Sequence, residues 1–332
     1  MGEKPAILVT GGAGYIGSHA ALALLDAGWP VVVLDNLVTG FRWAVPDGAV
    51  FVEGDIADSD LVGELIDAHQ IAAIMHFAGS IIVPESVENP LKYYDNNTAR
   101  SRTLLATAIA HQVRHFIFSS TAAVYGIPDT IPVSESMPTE PINPYGRSKL
   151  MTEWMLRDTT AAHPMNYCAL RYFNVAGADP AGRSGQSTAG ATHLIKVAVE
   201  AVLGKRDGVA IFGTDYDTPD GTGVRDYIHV SALAAAHIHA LEKLIATPDE
   251  NHVLNCGYGR GFSVLEVLDS VDRVAGTQIA RSMEPRRAGD PDALTADNSA
   301  ILEVLPWRPE HDDLDGIVRD ALAWEKLLAE KA

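Results

Sequence analysis

The sequence predicts a doubly wound parallel α/β sheet with a smaller C-terminal α/β region, and three observations predict it. Short apolar runs of the kind that form buried parallel strands alternate with longer segments whose apolar residues recur at helical spacing. The first run, Ala6 to Thr10, passes directly into Gly11-Gly12-Ala13-Gly14-Tyr15-Ile16-Gly17 and then a helix. The next run ends in an acid, Asp35, which completes a βαβ unit.

Taken in order, Ile16, Ala20, Leu24 and Ala27 mark one stripe of a helix over 14–27 that Gly28 stops. Strands follow at 31–34 and 50–53, and Asp58 is placed to cap a helix running to His69. A strand at 73–77 ends at Ala78-Gly79, a helix covers 90–111, and a strand at 115–118 delivers Ser119, Ser120 and Thr121. A helix over 145–163 is ended by Pro164, and 167–171 is the next strand. Beyond Asn174 the pattern loosens: 178–191 is rich in Gly, Ser, Ala and Pro and reads as a long loop, of a length that is usually functional or mobile. Helices at 192–203, 230–244, 264–275 and 314–329 and a strand at 210–212 form the second region. The expected division is 1–175 for a dinucleotide-binding domain and 176–332 for a substrate domain, with parts of 224–255 returning to the first.

Composition bounds the function. The 332 residues are 47% hydrophobic and 20% charged, which suits one large or two moderate globular domains. Two cysteines, Cys168 and Cys256, sit in apolar runs and offer neither a disulfide framework nor a metal spacing, so a reducing compartment and no metal are expected. Neither a leader pattern nor a membrane-length apolar stretch is read, which points to a cytoplasmic protein. A net charge of −18 argues against nucleic acid, because a phosphate-backbone binder needs a cationic face. Any phosphate-bearing ligand must then be held by local donors.

The glycine-rich turn supplies such donors. Gly11, Gly14 and Gly17 are spaced Gly-x-x-Gly-x-x-Gly; the missing side chains let the backbone approach a pyrophosphate and present helix N-terminal amides to it. Asp35 can accept both ribose hydroxyls and repels a 2′-phosphate, which selects NAD over NADP. Asp55, ending the next strand at the same edge, is placed either for the adenine amino group or to cap its own turn. On a helix beginning near Pro144, Tyr145 and Lys149 stand at i and i+4 on one face. An ammonium there favours the phenolate, making Tyr145 a candidate general base, with the Thr121 hydroxyl serving the same substrate oxygen.

These residues resemble the extended short-chain dehydrogenase/reductase family, and within it the nucleotide-sugar 4-epimerases that act on UDP-glucose. The resemblance runs through Thr10 to His19, Phe51 to Ile56, His76 to Gly79, Tyr93 to Asn97, Tyr172-Phe173-Asn174, Gly221 to Val230 and Arg286 to Asp290. It implies a Rossmann fold and reversible epimerisation of UDP-glucose and UDP-galactose at C4, through a 4-keto sugar and a tightly bound, recycled NAD. Tyr145 would then move the 4-hydroxyl proton, Lys149 would hold the nicotinamide ribose, and Thr121 would orient the 4-oxygen. Implied cofactor contacts include Tyr15 and Ile16 in the turn, Asn36 beside Asp35, and Ile56 beside Asp55. Phe77, Ala78 and Gly79 after the fourth strand are further ones, with Asn96, Ser119 and Tyr172. On the substrate side the resemblance implies Asn174, His193 and Leu194, packing of the uracil on Ala210, Ile211 and Phe212, and a diphosphate clamp of Arg225 and Arg287. Asp290 and Leu294 complete the implied substrate set. The helices at 90–111 and 145–163 resemble a pair that builds a homodimer.

Three positions depart from the resembled pattern. Ile81 stands where many relatives carry a cofactor-binding lysine, Thr192-His193 where bacterial relatives often show paired asparagines, and Leu294 where the side chain governs room for an N-acetyl group. Sugar-nucleotide dehydratases and decarboxylases carry acidic proton carriers after the Thr121 position. Ala122 and Ala123 cannot carry protons, so elimination is disfavoured. An epimerase of another UDP sugar and a non-catalytic NAD sensor are the competing readings.

Overall fold

The computed structural model describes residues 4–287 and 290–331, so Ala288 and Gly289 of the Arg286–Asp290 motif lie outside the described residues. The first half is built from β1 (Ala6–Thr10), α1 (Tyr15–Asp26), β2 (Val31–Asp35), β3 (Val50–Glu53), α2 (Ser59–His69) and β4 (Ile71–His76). It continues through α3 (Val83–Glu88), α4 (Pro90–Tyr93), a π-helical turn (Tyr94–Ala99), α5 (Arg100–Ala110), β5 (His115–Thr121), α6 (Pro144–Ala162) and β6 (Asn166–Tyr172). The local signals explain these limits. Asp58 caps α2 by accepting from the Leu61 amide, Asn143 caps α6 by accepting from Gly146 at 2.9 Å, and Gly28 ends α1 in a left-handed conformation at φ 76.

Among the described residues, β6, β5, β4, β1, β2 and β3 form a parallel sheet in that order, with β10 (His252–Cys256) outside β6. Strand order reverses between β1 and β4, and in such sheets the crevice at that point binds ligands. Because strand side chains alternate, Ile7 and Val9 face one apolar layer with Leu24, Leu233 and Leu241, while Leu8 faces the other with Leu104, Phe116 and Leu156. The first layer needs α8 (Val230–Ala246), which packs on α1.

The remaining elements are β7 (Asn174–Ala176), α7 (Leu194–Val202), β8 (Val209–Phe212), β9 (Val224–His229), β11 (Gly261–Ser263), α9 (Val264–Ala275), β12 (Arg281–Glu284), β13 (Ala293–Leu294), α10 (Ser299–Val304) and α11 (Leu314–Lys331). β9 pairs with β7, β11 and β13, and β8 pairs with β12. Helices α7, α9 and α11 enclose a third apolar cluster containing Ile195, Ile211, Val267 and Val318.

The helix expected over 90–111 is one helical path interrupted by the π turn, and α3 precedes it. The strands β7, β9, β10, β11, β12 and β13 were not expected from the sequence. Most are short, and β9 and β10 carry polar residues that hide an apolar run. No described helix is long and apolar enough to cross a membrane.

Candidate active site

The glycine-rich turn is packed backbone to backbone. Gly11 lies at φ 72 and a Cβ there would stand 2.6 Å from the Ala78 amide nitrogen; at Gly17 it would stand 2.2 Å from the Gly11 carbonyl oxygen. Only glycine fits either position. The turn hands the chain to α1 without a side-chain cap and with no acid in the helix's first turn, so that positive end is left to a ligand. Asp35 is buried; its carboxylate accepts from Ala13 N at 2.9 Å and Leu37 N at 2.8 Å. Burial raises its pKa, and those two amides offset the rise only in part.

An acid at the strand end beside an uncapped helix start fits a dinucleotide. Asp55 is more heavily engaged: it accepts from Ala57 N at 2.9 Å, from Asn36 Nδ2 at 3.3 Å, and pairs with Arg100. Ile56 has its side chain in the core, leaving only backbone to meet a ligand, while Ile16 packs half-buried against the core.

Thr121 Oγ1 accepts from Ala123 N at 3.1 Å, and the Thr121 side chain, as a neighbour of the Tyr145 phenol, favours its phenolate. The Tyr93 ring stands edge-on to Tyr145 at 6.4 Å and is itself fixed by bonds from its hydroxyl to the Ile82 carbonyl at 2.6 Å and the Glu85 carboxylate at 2.8 Å. Lys149 is 3% exposed, donates to the Ser119 carbonyl at 2.9 Å and lies 5.0 Å from the Phe118 ring centre. Gly79 lies beside it: a Cβ there would crowd Asn97 Oδ1 at 3.0 Å and touch Lys149 Nζ at 3.5 Å. Burial moves the Lys149 pKa down to about 8.

The expected lowering of the Tyr145 pKa by Lys149 is corrected by the structure. Burial raises it, and the opposing influence is the hydrogen bond with Thr121. Both groups of the pair are desolvated, and the ammonium is turned to the Ser119 carbonyl.

A polar network missed by the sequence reading lies beneath these groups. Glu153, one helical turn past Lys149, accepts from Ser120 Oγ at 2.5 Å and from Arg171 Nε and Nη2 at 3.0 and 2.6 Å. Arg171 also donates to the Tyr125 hydroxyl at 2.9 Å, which donates to Asn255 Oδ1 at 2.7 Å. On the other side, Asn97 Oδ1 accepts from Ser80 N at 2.7 Å while its amide reaches Ser80 O and Ser148 Oγ. Asn96 donates to Ser80 Oγ at 2.9 Å. Both asparagines stand in the π-helical turn, which no periodicity announces. In the β5–β6 register Thr121 is the partner of Tyr172 and Ser119 that of Leu170, and the Phe77 ring lies 4.9 Å from His237 with 44° between the planes.

The substrate candidates fall into two groups. Asn174, His193 and Leu194 line one cavity with Tyr15, and Tyr15 Oη donates to Gly177 O at 2.7 Å. His193 occupies the start of α7 without capping it. Arg225, Asp290 and Leu294 form the second group: Arg225 lies 4.0 Å from Asp290, and Leu294 is its register partner in β13. Arg287 places its guanidinium 3.8 Å from the Phe212 ring centre. Its neighbour Arg286 is already bound to Asp215 at 2.7 Å, which leaves Arg287 as the more available cation. Strand alternation sends Ile211 into the core at 0% exposure, so of the three β8 residues Ala210 and Phe212 present their side chains outward.

One sequence comparison decides the family. The NAD dependent epimerase/dehydratase family matches residues 7–257. The chain belongs to that family. The UDP-glucose 4-epimerase of Azospirillum brasilense is 57% identical over 325 residues, covering 98% of this chain and 93% of that one. Two epimerase crystal structures superpose closely: UDP-glucose 4-epimerase from Brucella ovis in complex with NAD at 44% identity and TM-score 0.93, covering 96% of this chain and 98% of that one, and UDP-glucose 4-epimerase from Bifidobacterium longum in complex with NAD+ and UDP at 37% and 0.92, covering 98% and 100%.

Against this epimerase/dehydratase frame the Ile81 departure is structurally plain: the side chain is 48% exposed and brings no charge to the groove. Among the described residues His229, His311 and Asp320 bring metal-ligating atoms within 4.8 Å of one another. His229 Nδ1 accepts from Ser231 N, which puts the proton on Nε2 toward Asp320, and the two imidazoles stack with 26° between planes. Both ring nitrogens of His229 are thereby engaged, and its imidazole serves as the cap of α8.

Proposed function

We propose that this NAD-dependent epimerase interconverts UDP-glucose and UDP-galactose by inverting C4 through a 4-keto sugar. The observation that carries the reading is the Thr121–Tyr145 hydroxyl pair standing beside Ala122 and Ala123, in a chain 57% identical to a UDP-glucose 4-epimerase. Two hydroxyls can hold and move one proton, and the alanines give no route for the second proton transfer that elimination needs.

In this reading Tyr145 takes the proton of the sugar 4-hydroxyl and later returns it to the opposite configuration, while Thr121 holds the 4-oxygen. Lys149, anchored by Ser119, holds the nicotinamide ribose. Asp35 accepts the adenosine ribose hydroxyls and the uncapped α1 faces the pyrophosphate. Bound NAD supplies the hydride acceptor and donor, and is recycled within each turnover. Arg225 and Arg287 clamp the diphosphate through charge-assisted bonds, and Phe212 offers its ring to the uracil. Held only by its nucleotide, the keto sugar is free to turn its other face.

The seven-stranded sheet with α8 is the cofactor unit and the remainder holds the UDP sugar. We place the enzyme in the cytoplasm as a homodimer, with the exposed Leu91 and Trp154, at 76% and 46%, on the helical path through 90–110 and on α6, as supporting features.

The test is direct. Purified protein is incubated with UDP-galactose and UDP-glucose formation is followed, in parallel with UDP-N-acetylhexosamines and UDP-pentoses, and the bound nucleotide is identified by mass. Folded, NAD-loaded protein that converts neither UDP-hexose, or that releases a dehydrated sugar, sinks the proposal.

A further inference from the structure

The loop after Asp35 is held down at two places. Near its start, Phe41 N donates to Ala13 O at 2.9 Å and Gly40 packs so closely on Ala13 that a Cβ would meet it at 2.9 Å. The loop therefore lies on the same residue whose amide binds the Asp35 carboxylate. Farther along, Trp43 stacks on Phe41 at 5.2 Å and reaches Trp324 of α11 at 5.9 Å, with 34° between the indole planes. Trp324 is itself immobilised. It is 2% exposed, donates from Nε1 to Ser187 Oγ at 3.1 Å, and has Gly185 pressed so tightly on its ring that a Cβ would lie 2.4 Å away.

The residue after Trp324 is Glu325, which pairs in a buried site with Lys196 of α7 and, at 2.6 Å, with Lys205. Lys196 in turn lies 3.2 Å from Glu200. Two consecutive residues of α11 thus grip two different segments: the loop over the glycine-rich turn, and the helix whose start presents His193 and Leu194. None of these side chains is used by the chemistry at Tyr145.

We infer that Trp43 and Trp324 form a clasp that holds loop 36–45 over the adenosine half of the cofactor groove, and that α11 links this clasp to α7, so that cofactor residence and uridine-nucleotide binding are coupled. The inference rests on the NAD and UDP-sugar reading above. A clasp of this kind offsets the charged contact that Ile81 does not provide. It makes Trp43 a positioning residue for the cofactor, and thermodynamic linkage requires the coupling to run both ways.

The experiment follows NAD leaving the loaded full-length protein, by rapid removal of free nucleotide and assay of what remains bound, with and without UDP. Trp43→Ala is expected to release NAD about three- to tenfold faster, the range that loss of an aromatic pair gives. Trp43→Phe, which keeps a ring, is expected to recover most of the retention. UDP is expected to slow release from the unaltered protein and to lose much of that effect in Trp43→Ala.

Because Trp43 is 47% exposed, the alanine variant keeps its fold, which a melting curve checks. Release at the unaltered rate from Trp43→Ala, or equally fast release from the alanine and phenylalanine variants, overturns the clasp. Faster release with an undiminished UDP effect overturns the coupling and leaves the clasp. A protein that never takes up NAD overturns the cofactor reading and the clasp together.

Discussion

Replacing Glu153 by alanine tests how the strand that carries Ser119, Ser120 and Thr121 is held. The carboxylate is 5% exposed and takes three hydrogen bonds, one from Ser120 and two from Arg171. Removing it leaves the Arg171 guanidinium, itself 7% exposed, with the Tyr125 hydroxyl at 2.9 Å as its remaining hydrogen-bond partner in this network. Breaking one half of a buried pair costs about 3–5 kcal/mol, most of it the isolated charge. An unfolding entropy of about 2.1 cal/mol/K per residue gives about 0.7 kcal/mol/K for a chain this long, so the melting temperature falls by about 4–7 °C.

Circular dichroism melts measure the shift. A double variant, Glu153→Met with Arg171→Met, recovers most of the loss because no charge is left stranded. Turnover falls too, at temperatures where the single variant is fully folded, since Ser120 lies between the Ser119 carbonyl that anchors Lys149 and the Thr121 side chain that neighbours Tyr145. A single variant melting within about 1 °C of the parent, or a double variant whose loss is the sum of its parts, refutes the reasoning.

Tyr145→Phe removes the proton carrier and lowers turnover by about two to four decades while NAD stays bound, as ultraviolet absorbance and mass of the bound nucleotide report; activity within tenfold of the parent refutes its role. Stability also responds to acid. His19 and His237 are depressed to about 4 and His76 to about 3, all by burial, so the unfolded chain binds more protons below its ordinary histidine pKa near 6.5. Their contribution is complete above that pH and is lost as pH falls toward 4. Asp226, raised to about 6 by burial, works the other way for one proton. These four groups together give a net of about two protons and a loss of about 3 kcal/mol per pH unit, read from urea melts between pH 6.5 and 4.5, and a flat profile there contradicts the buried neutral imidazoles.

Much of the cofactor half was legible because its signals are local. A glycine that only glycine can satisfy, an acid at a strand end and a cap at Asp58 each act within a few residues, and the elements around them fall where the spacing puts them. Tyr145 and Lys149 were read as a pair for the same reason, since positions i and i+4 share one face of α6. What escaped depends on partners far away in sequence. Glu153 and Arg171 are unremarkable until α6 and β6 pack, Arg100 gains meaning only against Asp55, and Asn97 reaches Ser80 and Ser148 from a π-helical turn at 94–99 that no apolar periodicity marks. The tyrosine pKa ran opposite to expectation because sequence spacing shows a nearby cation but not the water that packing removes.

The position of β10 outside β6, with α8 lying on α1, means that the chain crosses from one half to the other and comes back. A single cut after the sixth strand would strip that strand of its outer neighbour and uncover Leu24, whose cover includes Leu233 and Leu241 from sixty residues downstream of the cut. The halves are laced like a seam, and neither can be removed with one snip. Engineering that seeks to swap the portion outside the seven-stranded sheet between homologues must therefore graft two separate stretches, on either side of 230–256, and leave the returning thread in place.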